Sequence, residues 1–377
     1  MAETDRNPYS ALPETAFWRS AVATKDALAI SRLWNPKFNI QPHQKVVTFG
    51  SCFAQHIGRA LRARGFQWYI AEHAPPGMSD ANRVLYNYDL FSCRTGNIYT
   101  ASLLKQWVGW ALGETHPPEE YWVMGGRYFD PFRPAIEPDG FVSLKEMLAS
   151  RDYAIAAFRR SIAAARYFVF TLGLTESWIN AENRYEYPMC PGTVAGTFDP
   201  ERHAFKNQNF EFVRTQLLDA LARMRKFNKK LKVILTVSPV PLTATNSGRH
   251  VLTATMESKS VLRSVAGQLR NGHWWIDYFP SYEIISSPVF GGRFFEANLR
   301  SVSKAGVDFV MDSFFADLEA KFGAPQPAGS VLATLKSQLL SPFKLLERQE
   351  DDLPPDDDPA EEVVCEEQLL EAFGKQQ

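Results

Sequence analysis

Short apolar runs alternate with segments of helical periodicity along most of the chain. The apolar runs are rich in β-branched and aromatic residues and predict buried strands; they lie at 46–49, 167–173, 231–237 and 274–279. Apolar residues at three- and four-residue spacing predict helices; these lie at 101–112, 144–166, 210–228, 258–267 and 307–322. Strands that alternate with helices predict βαβ units and a mostly parallel sheet. The expected fold class is α/β.

The chain has 377 residues, which is enough for one large α/β domain with insertions. We expect this domain at 45–322, preceded by an N-terminal extension at 1–44 that wraps it and contains a helix over 15–33. An insertion near 116–141 is rich in proline, glycine and aromatic residues. It predicts a loop packed on its own side chains rather than a carbohydrate platform, in a position to roof an active site.

Residues 323–377 differ in composition from the domain and predict a partly disordered acidic tail. The stretch 350–371 contains eleven acidic residues and no basic one, so the rest of the chain is moderately basic although the whole carries a net charge of −1. Such a tail is either solvated or folded back on the basic body. Its end, 363–373, has apolar residues near helical spacing. That end predicts either a docking helix for a protein partner or a fraying helix without one.

The four cysteines, Cys52, Cys93, Cys190 and Cys365, are scattered without Cys-x-x-Cys spacing. This pattern indicates neither a disulfide framework nor a zinc site, and it favours a reducing, cytoplasmic location. The N-terminus lacks the apolar core of a signal peptide, and no apolar run is long enough to predict a membrane span. Basic residues form no dense cluster and no glycine-rich phosphate loop is present. We therefore expect no nucleic-acid partner, no cofactor and no metal.

The candidate chemistry begins at the turn after the first predicted strand. Gly50 ends that strand, and apolar residues recur at helical spacing from Ala54 onward, so Ser51 and Cys52 lie at a helix N-terminus. Unpaired N–H groups and the positive end of the helix dipole stabilise a thiolate, an alkoxide or an acyl oxyanion there. A free cysteine behind a glycine turn is also commonly a small buried hydrophobe. Both interpretations of Cys52 stay open on these residues alone.

The run Gly-Ser-Cys-Phe-Ala at 50–54 resembles the signature of the GSCFA family, which is related to the SGNH or GDSL-like hydrolases. Further blocks support the resemblance; they lie at 94–100, 171–176, 237–240 and 277–283. The resemblance implies a three-layer SGNH/flavodoxin-like α/β domain. It also implies an esterase or acyltransferase site at the carboxyl ends of the strands, where parallel-sheet enzymes bind their ligands.

The resemblance assigns roles to the first two blocks. An ungapped match puts Cys52 at the nucleophile position of the related enzymes, and a shift of one residue puts Ser51 there. The implied oxyanion donors are the backbone from Gly50 to the nucleophile, the Gly96 N–H and the Asn97 side chain. A Gly-Asn pair equally suits a plain turn, so Asn97 keeps both interpretations.

The later blocks depart from the hydrolase pattern in two places. Thr175 and Glu176 follow Gly173 where the relatives have an Asn-Asp pair. Thr175 keeps a hydroxyl donor, and Glu176 is expected to orient a histidine or to bind substrate. Asn298 and Ser301 lie where relatives that keep the hydrolase dyad show Asp-x-x-His. Neither acts as a general base at neutral pH, so the usual dyad is absent and both are expected to contact substrate.

The missing dyad leaves the proton transfer to another residue. His250 is the candidate, because its loop is expected to open beside the nucleophile turn, although a lone loop histidine is commonly just exposed. His56 follows Cys52 by one helical turn, which aims its ring along the helix flank. Arg293 and Arg300 are expected near the pocket rim, where they can hold an anionic group.

These observations predict an acyl-transfer enzyme, either an esterase or an acyltransferase. Cys52 or Ser51 attacks the acyl carbonyl, and His250 moves the proton. Backbone N–H groups, with Gly96 and Asn97, stabilise the oxyanion. The resemblance implies a glycan or another small hydroxylated molecule as substrate. The alternative is a catalytically silent glycan- or ligand-binding protein that keeps the pocket and lacks the hydrolase Asp-His pair.

Overall fold

The computed structural model describes residues 7–325 and 365–374, so the predictions for 331–346 and 350–359 lie outside the described residues. The strands are β1 Val46–Gly50, β2 Trp122–Met124, β3 Arg127–Phe129, β4 Tyr167–Leu172, β5 Glu176–Asn180, β6 Glu186–Tyr187, β7 His203–Asn207, β8 Lys232–Val237 and β9 Ile276–Tyr278. The α-helices are α1 Ala54–Ala63, α2 Asp80–Leu85, α3 Ala101–Leu112, α4 Leu144–Ala164, α5 Phe210–Phe227, α6 Val251–Gly272, α7 Ser281–Ser286 and α8 Lys304–Phe322. None of these described helices has the length and apolarity to span a bilayer.

A four-stranded parallel sheet with the order β1-β4-β8-β9 lies at the centre of the fold. Its inner strands, β4 and β8, are almost wholly buried, which is why their sequences are continuous apolar runs. The register sets Gly50 opposite Thr171, and Leu172 opposite Val237. The carboxyl ends of β1, β4 and β8 therefore meet at one edge of the sheet. The predicted α/β class with a parallel sheet is confirmed.

Helices cover both faces of this sheet. Strand residues such as Phe49 and Phe170 point into a core formed with α3, α4, α5 and α6. Their neighbours along the strands, such as Val46 and Val169, point into a second core formed with α1, α7 and α8. Because side chains alternate across a strand, each central strand supplies both cores at once.

The structure also contains two smaller antiparallel sheets that the sequence patterns did not predict. β2 and β3 form a hairpin inside the insertion at 116–141, and β5 pairs with both β6 and β7. β2, β3 and β6 have only two or three residues, and β5 and β7, with five residues each, show no alternation of apolar and polar positions. β5 begins at Glu176, just beyond the carboxyl end of β4. The sheet of β5, β6 and β7 therefore stands beside the edge where the central strands end.

The prediction of a helix over 15–33 is wrong. Short 3-10 and π-helical turns replace it; they lie at Glu14–Ala16, Arg19–Ala23 and Ala27–Ala29. Most residues of this stretch are exposed, so it lacks the buried apolar face that stabilises most helices in proteins. Trp34, Phe38 and Ile40 instead anchor the N-terminal extension in the second core.

Candidate active site

The turn after β1 holds Ser51 and Cys52 at the carboxyl edge of the sheet. Gly50 has a φ of +127°, and a Cβ there would lie 2.3 Å from the Thr171 carbonyl oxygen, so only glycine fits. The Ser51 N–H donates to the same oxygen at 2.9 Å. α1 then begins at Ala54, whose N–H donates to the Ser51 carbonyl. The close pairing of β1 with β4 thus places Cys52 just before a helix N-terminus.

Both candidate nucleophiles are buried. Cys52 is 4% exposed and Ser51 is 2% exposed. Among the described residues the Ser51 hydroxyl has no hydrogen-bond partner, whereas the Cys52 thiol hydrogen-bonds to the Cys365 thiol. That hydrogen bond, together with burial, raises the pKa of Cys52 well above its ordinary value. Cys52 is therefore a neutral thiol as long as Cys365 lies against it.

The end of the chain, residues 365–374, lies against this turn, and we call it the C-terminal segment. It forms a 3-10 helix directly after Cys365. Glu366 is 3% exposed and hydrogen-bonds with Asn97, and burial raises the pKa of Glu366 to about 7. A Cβ at Gly96 would lie 3.4 Å from the Glu366 carboxylate. The segment thus contacts both the nucleophile and the predicted oxyanion donors.

An ion pair holds the next residue of the C-terminal segment. Arg300 Nη2 lies 3.3 Å from Glu367 Oε2, and the Thr243 N–H donates to Glu367 Oε1 at 3.0 Å. Only 9% of the Arg300 side chain and 12% of the Glu367 side chain are exposed. Arg300 Nη2 also lies 4.0 Å from the Cys365 sulfur. Arg300 therefore links the carboxylate to the pair of thiols.

Lys259 is a candidate functional residue that the sequence patterns did not single out. Its side chain points inward from α6, is 2% exposed and donates from Nζ to the Gly173 carbonyl at 2.7 Å. Burial lowers its pKa to about 8, against the opposing effects of Glu367 and Cys52. Gly173 packs on the nucleophile turn, because a Cβ there would lie 3.1 Å from Ser51 Cβ. The sequence does contain a signal that could have identified Lys259: it is a lysine within the stripe of buried residues on α6.

The two candidate histidines lie elsewhere. His250 is exposed at the start of α6, where its Nδ1 accepts the Leu252 N–H at 3.2 Å and caps the helix. His56 packs against the Phe53 ring, and burial lowers its pKa to about 4. No histidine is among the groups that most influence the pKa of Cys52. The role of His250 as the base stays a prediction.

The loop before α8 forms a turn where relatives that keep the dyad have Asp-x-x-His. Asn298 Oδ1 accepts the N–H groups of Arg300 and Ser301 at 3.0 and 2.9 Å, and its amide donates to the Ser301 hydroxyl. Asn298 and Arg293 are exposed, and Arg293 Nε donates to a backbone carbonyl. The turn directs Arg300 inward, where it is 8% exposed. Arg300 therefore reaches the site, while Arg293 lies on the surface.

Thr175 and Glu176 lead from β4 into the neighbouring sheet. The Thr175 N–H donates to the Ser258 hydroxyl at 3.0 Å, and the Thr175 hydroxyl donates to the Asn207 side chain at 2.7 Å. The hydroxyl thus already has an acceptor within the fold. Glu176 accepts the Thr245 hydroxyl, and burial raises its pKa. Glu176 lines a cavity beside the site.

This cavity has a volume of about 500 Å³. Aromatic rings form much of its wall; they belong to Tyr99, Trp178, Tyr187 and Phe198. Glu186 contributes a buried carboxyl, whose pKa is raised by burial to about 7. Leu370 and Phe373 of the C-terminal segment also line it. A mostly apolar space with a few polar groups is typical of a small-molecule site.

The site offers a thiol, a hydroxyl, a buried amine, a guanidinium and a carboxamide. These groups can attack an acyl carbonyl, move a proton and bind an anion. Over the described part of the chain, no three His, Cys, Asp or Glu side chains are grouped so as to hold a metal ion.

The family model of GSCFA proteins matches residues 45–314, well over half of the sequence. The chain belongs to the GSCFA family. No curated protein and no solved structure matches it significantly. The GSCFA match includes the whole central sheet, the Cys52 turn, Lys259 and Arg300. The C-terminal segment lies outside the match.

Proposed function

We propose that this GSCFA protein is an acyl-transfer enzyme, an esterase or an acyltransferase with an SGNH-like three-layer fold, and that Cys52 is its nucleophile. One observation carries the proposal: a buried thiol follows a parallel strand at a tight turn, where the Ile98 N–H next to Asn97 donates to the Gly50 carbonyl and the buried Lys259 donates to the Gly173 carbonyl. Parallel-sheet enzymes bind their ligands at this edge, and a helix N-terminus favours an ionised nucleophile.

In the proposed first step, Cys52 loses its proton to a base and its sulfur attacks the acyl carbonyl. Negative charge develops on the carbonyl oxygen, where Asn97 and the N–H groups of Gly96 and the turn donate hydrogen bonds. Collapse of this intermediate forms a thioester on Cys52, and the departing alcohol takes up the proton. Water, or a hydroxyl of a second substrate, then attacks the thioester and releases the acid or the new ester.

Lys259 is better placed than His250 to be the base. A pKa of about 8 leaves part of the Lys259 population neutral near physiological pH, as a general base requires. Lys259 Nζ lies on the Gly173 carbonyl, next to Ser51. His250 is exposed, and its Nδ1 already accepts a backbone N–H. Nucleophiles paired with lysine occur among the variants of the catalytic triad.

Ser51 is the competing nucleophile. Its hydroxyl has no hydrogen-bond partner among the described residues, so the base that a serine nucleophile needs is not in contact with it. Cys52 requires less activation, because a thiolate forms at a lower pH than an alkoxide and is intrinsically more nucleophilic. The proposal therefore assigns the attack to Cys52.

The proposed substrate is a glycan or another small hydroxylated molecule. The aromatic walls of the cavity offer apolar surface, and Glu176 and Glu186 offer acceptors for hydroxyl groups. The C-terminal segment lines the cavity through Glu367, Leu370 and Phe373 and contacts Cys52 through Cys365, so we expect a bound substrate to extend toward the thiol once this segment has moved.

Trapping of the acyl-enzyme tests the proposal. The protein, the chain that ends at residue 364, and their Cys52→Ala and Ser51→Ala variants are treated with p-nitrophenyl acetate, quenched in acid and mapped by mass spectrometry. We expect one acetyl group on Cys52, which neutral hydroxylamine removes, and none in Cys52→Ala. An acetyl group on Ser51 would show that Ser51, not Cys52, is the nucleophile. Absence of any acyl-enzyme, even in the shortened chain, would contradict the enzyme function.

A catalytically silent binding protein is the second candidate function. The turn formed by Asn298 and Ser301 favours it, because this turn replaces the hydrolase dyad of the relatives. A binding protein tolerates the loss of the thiol. Titration calorimetry with glycans separates the two functions: equal affinity in wild type and Cys52→Ala, without acyl-enzyme in either, would support the binding protein.

A further inference from the structure

The Arg300 guanidinium lies inside the site with only part of its hydrogen-bonding capacity satisfied. Its side chain is 8% exposed, and its Nε has no hydrogen-bond partner among the described residues. The partners of its Nη2, the Glu367 carboxylate and the Cys365 sulfur, both belong to the C-terminal segment. A buried charge is costly unless an anion or acceptor faces it. Departure of the C-terminal segment therefore leaves the Arg300 guanidinium available to another anion.

The surroundings of Glu367 are those of a carboxylate-binding site. The Thr243 N–H donates to one oxygen and Arg300 Nη2 faces the other. Burial raises the pKa of Glu367, while Arg300, the Thr243 N–H and Lys259 act to lower it. A guanidinium binds a carboxylate best through two parallel N–H···O bonds. Glu367 engages Nη2 and leaves Nε unpaired among the described residues. A free carboxylate, unconstrained by the chain, can engage both nitrogens.

We propose that Arg300 and the Thr243 N–H form a binding site for a carboxylate group of the ligand, and that Glu367 occupies this site in the resting chain. The C-terminal segment then acts as a tethered competitor. It covers three places together, because Cys365 lies on the nucleophile, Glu366 on Asn97 and Glu367 on Arg300. That the ligand is a substrate, an acidic sugar for example, rests on the proposed function; the carboxylate site does not.

The C-terminal segment can leave the site without disrupting the hydrophobic cores. Neither hydrophobic core described for the sheet contains a residue of this segment. Leu369 and Phe373, two of its apolar residues, are 47% and 67% exposed. The segment also lies outside the GSCFA match, which ends at residue 314. The body therefore keeps its central sheet and both cores when the C-terminal segment is displaced or removed.

The rate of Cys52 alkylation tests the occupation of the site. Full-length protein, kept reduced with a phosphine, is treated with iodoacetamide, and the Cys52 peptide is followed by mass spectrometry. We expect Glu367→Gln to raise the rate about tenfold, because it removes a charge-assisted hydrogen bond that holds the C-terminal segment. The chain that ends at residue 364 gives the upper limit. Glu371→Gln is the matched control, since this exposed carboxylate on the same segment should leave the rate unchanged.

Protection by free carboxylates tests the site itself. Glutarate is added to the chain that ends at residue 364, with glucose as the neutral control. We expect glutarate to slow the alkylation of Cys52, and a synthetic peptide of residues 365–374 to do so at lower concentration. Arg300→Met should abolish protection by glutarate. Arg300→Lys should retain part of it, because lysine keeps the charge but lacks the fork of donors.

Three results would each overturn the proposal. One is equal Cys52 reactivity in the full-length, Glu367→Gln and shortened chains, another is the absence of protection by glutarate, and the third is equal protection in Arg300→Met. Circular dichroism establishes that every variant is folded. None of these measurements requires acyl transfer. Protection without an acyl-enzyme would refute the enzyme and leave the carboxylate site standing, whereas an acyl-enzyme without protection would do the reverse.

Discussion

Two buried polar clusters of this protein are built in opposite ways. Under the insertion, the Asp130 carboxylate accepts Arg133 Nε at 2.8 Å and Arg151 Nε at 3.0 Å, and the remaining nitrogens of both arginines reach other acceptors. At the carboxyl edge of the sheet, several buried atoms have no hydrogen-bond partner among the described residues; they include Ser51 Oγ, Tyr99 Oη, Thr171 Oγ1 and Arg300 Nε. A satisfied buried network holds a fold, whereas an unsatisfied one marks a place where something binds.

The pKa shifts of the two clusters also have opposite directions, because the partners of Asp130 stabilise its charged form and those of Cys52 do not. Burial raises the pKa of Asp130, but Arg151 and Arg133 outweigh it and lower the pKa below its ordinary value. In the Cys52 site, the hydrogen bond that the Cys52 thiol donates to Cys365, together with burial, raises the pKa of Cys52. The Asp130 cluster therefore stabilises its charge permanently. The Cys52 site suppresses its charge while the C-terminal segment is bound.

Breaking the satisfied cluster should have the largest effect. Asp130→Asn leaves two buried arginines without their counter-charge, so we expect the free energy of unfolding to fall by about 3–5 kcal/mol. Urea denaturation measures it. Asp152→Asn, an exposed aspartate on α4, is the control and should change little. A loss for Asp130→Asn no larger than the control's would show that the cluster does not hold the fold.

Removing the buried amine should affect chemistry rather than stability. If Lys259 is the base, Lys259→Met should lower acyl transfer about 100-fold. The wild-type rate should rise as the pH increases through about 8, because the amine acts only when neutral and burial lowers its pKa to about 8. A pH–rate profile measures both effects. Lys259→Arg, which keeps the charge but cannot lose its proton, should be as inactive as Lys259→Met; an unchanged profile in either variant would exclude the role.

The docking of the C-terminal segment should depend on pH. Glu366 has a pKa of about 7 when docked, raised by burial from an ordinary value of 4.5, so the docked state binds the proton more tightly. The contribution of Glu366 to docking therefore weakens as the pH rises from about 4.5 to 7, by about tenfold or more. The measurement is the ratio of Cys52 reactivity in the full-length chain to that in the chain ending at residue 364, with 2,2′-dithiodipyridine as reagent.

Glu366→Gln provides the control for this titration. The amide fills the same space without ionising, so the pH dependence of the ratio between about pH 4.5 and 7 should become smaller; Glu367, whose pKa burial also raises, keeps its own contribution. A ratio that changes in the same way in Glu366→Gln would assign the titration to another group.

Breaking the unsatisfied cluster should have the smallest effect on stability. Arg300→Met removes a buried guanidinium whose Nη2 partners belong to the C-terminal segment, and Glu367 can then leave for water. We expect the free energy of unfolding to change by no more than about 1 kcal/mol. Urea denaturation beside Asp130→Asn gives the comparison directly. A loss as large as that of Asp130→Asn would mean that both clusters hold the fold.

Sequence patterns predicted the secondary-structure elements where buried residues form a continuous run or a helical period. They failed where burial follows neither pattern. The strands of the central sheet follow from continuous apolar runs, and Gly50 marks the turn because only glycine fits its φ and its approach to β4. β6 has only two residues, and β5 and β7 do not alternate apolar and polar residues, so no period marks them, although residues of β5 and β6 line the cavity. The exposed stretch 15–33 has apolar residues but no face to bury them.

By itself, the sequence determined the order of the core strands and helices and the position of Ser51 and Cys52 after a glycine turn. These are local properties, set by side-chain alternation and backbone freedom. Only the tertiary structure decided which groups face Cys52. Lys259, Arg300 and Cys365 lie more than two hundred positions away along the chain, and their burial, hydrogen bonds and pKa values arise from packing between elements that no local pattern records.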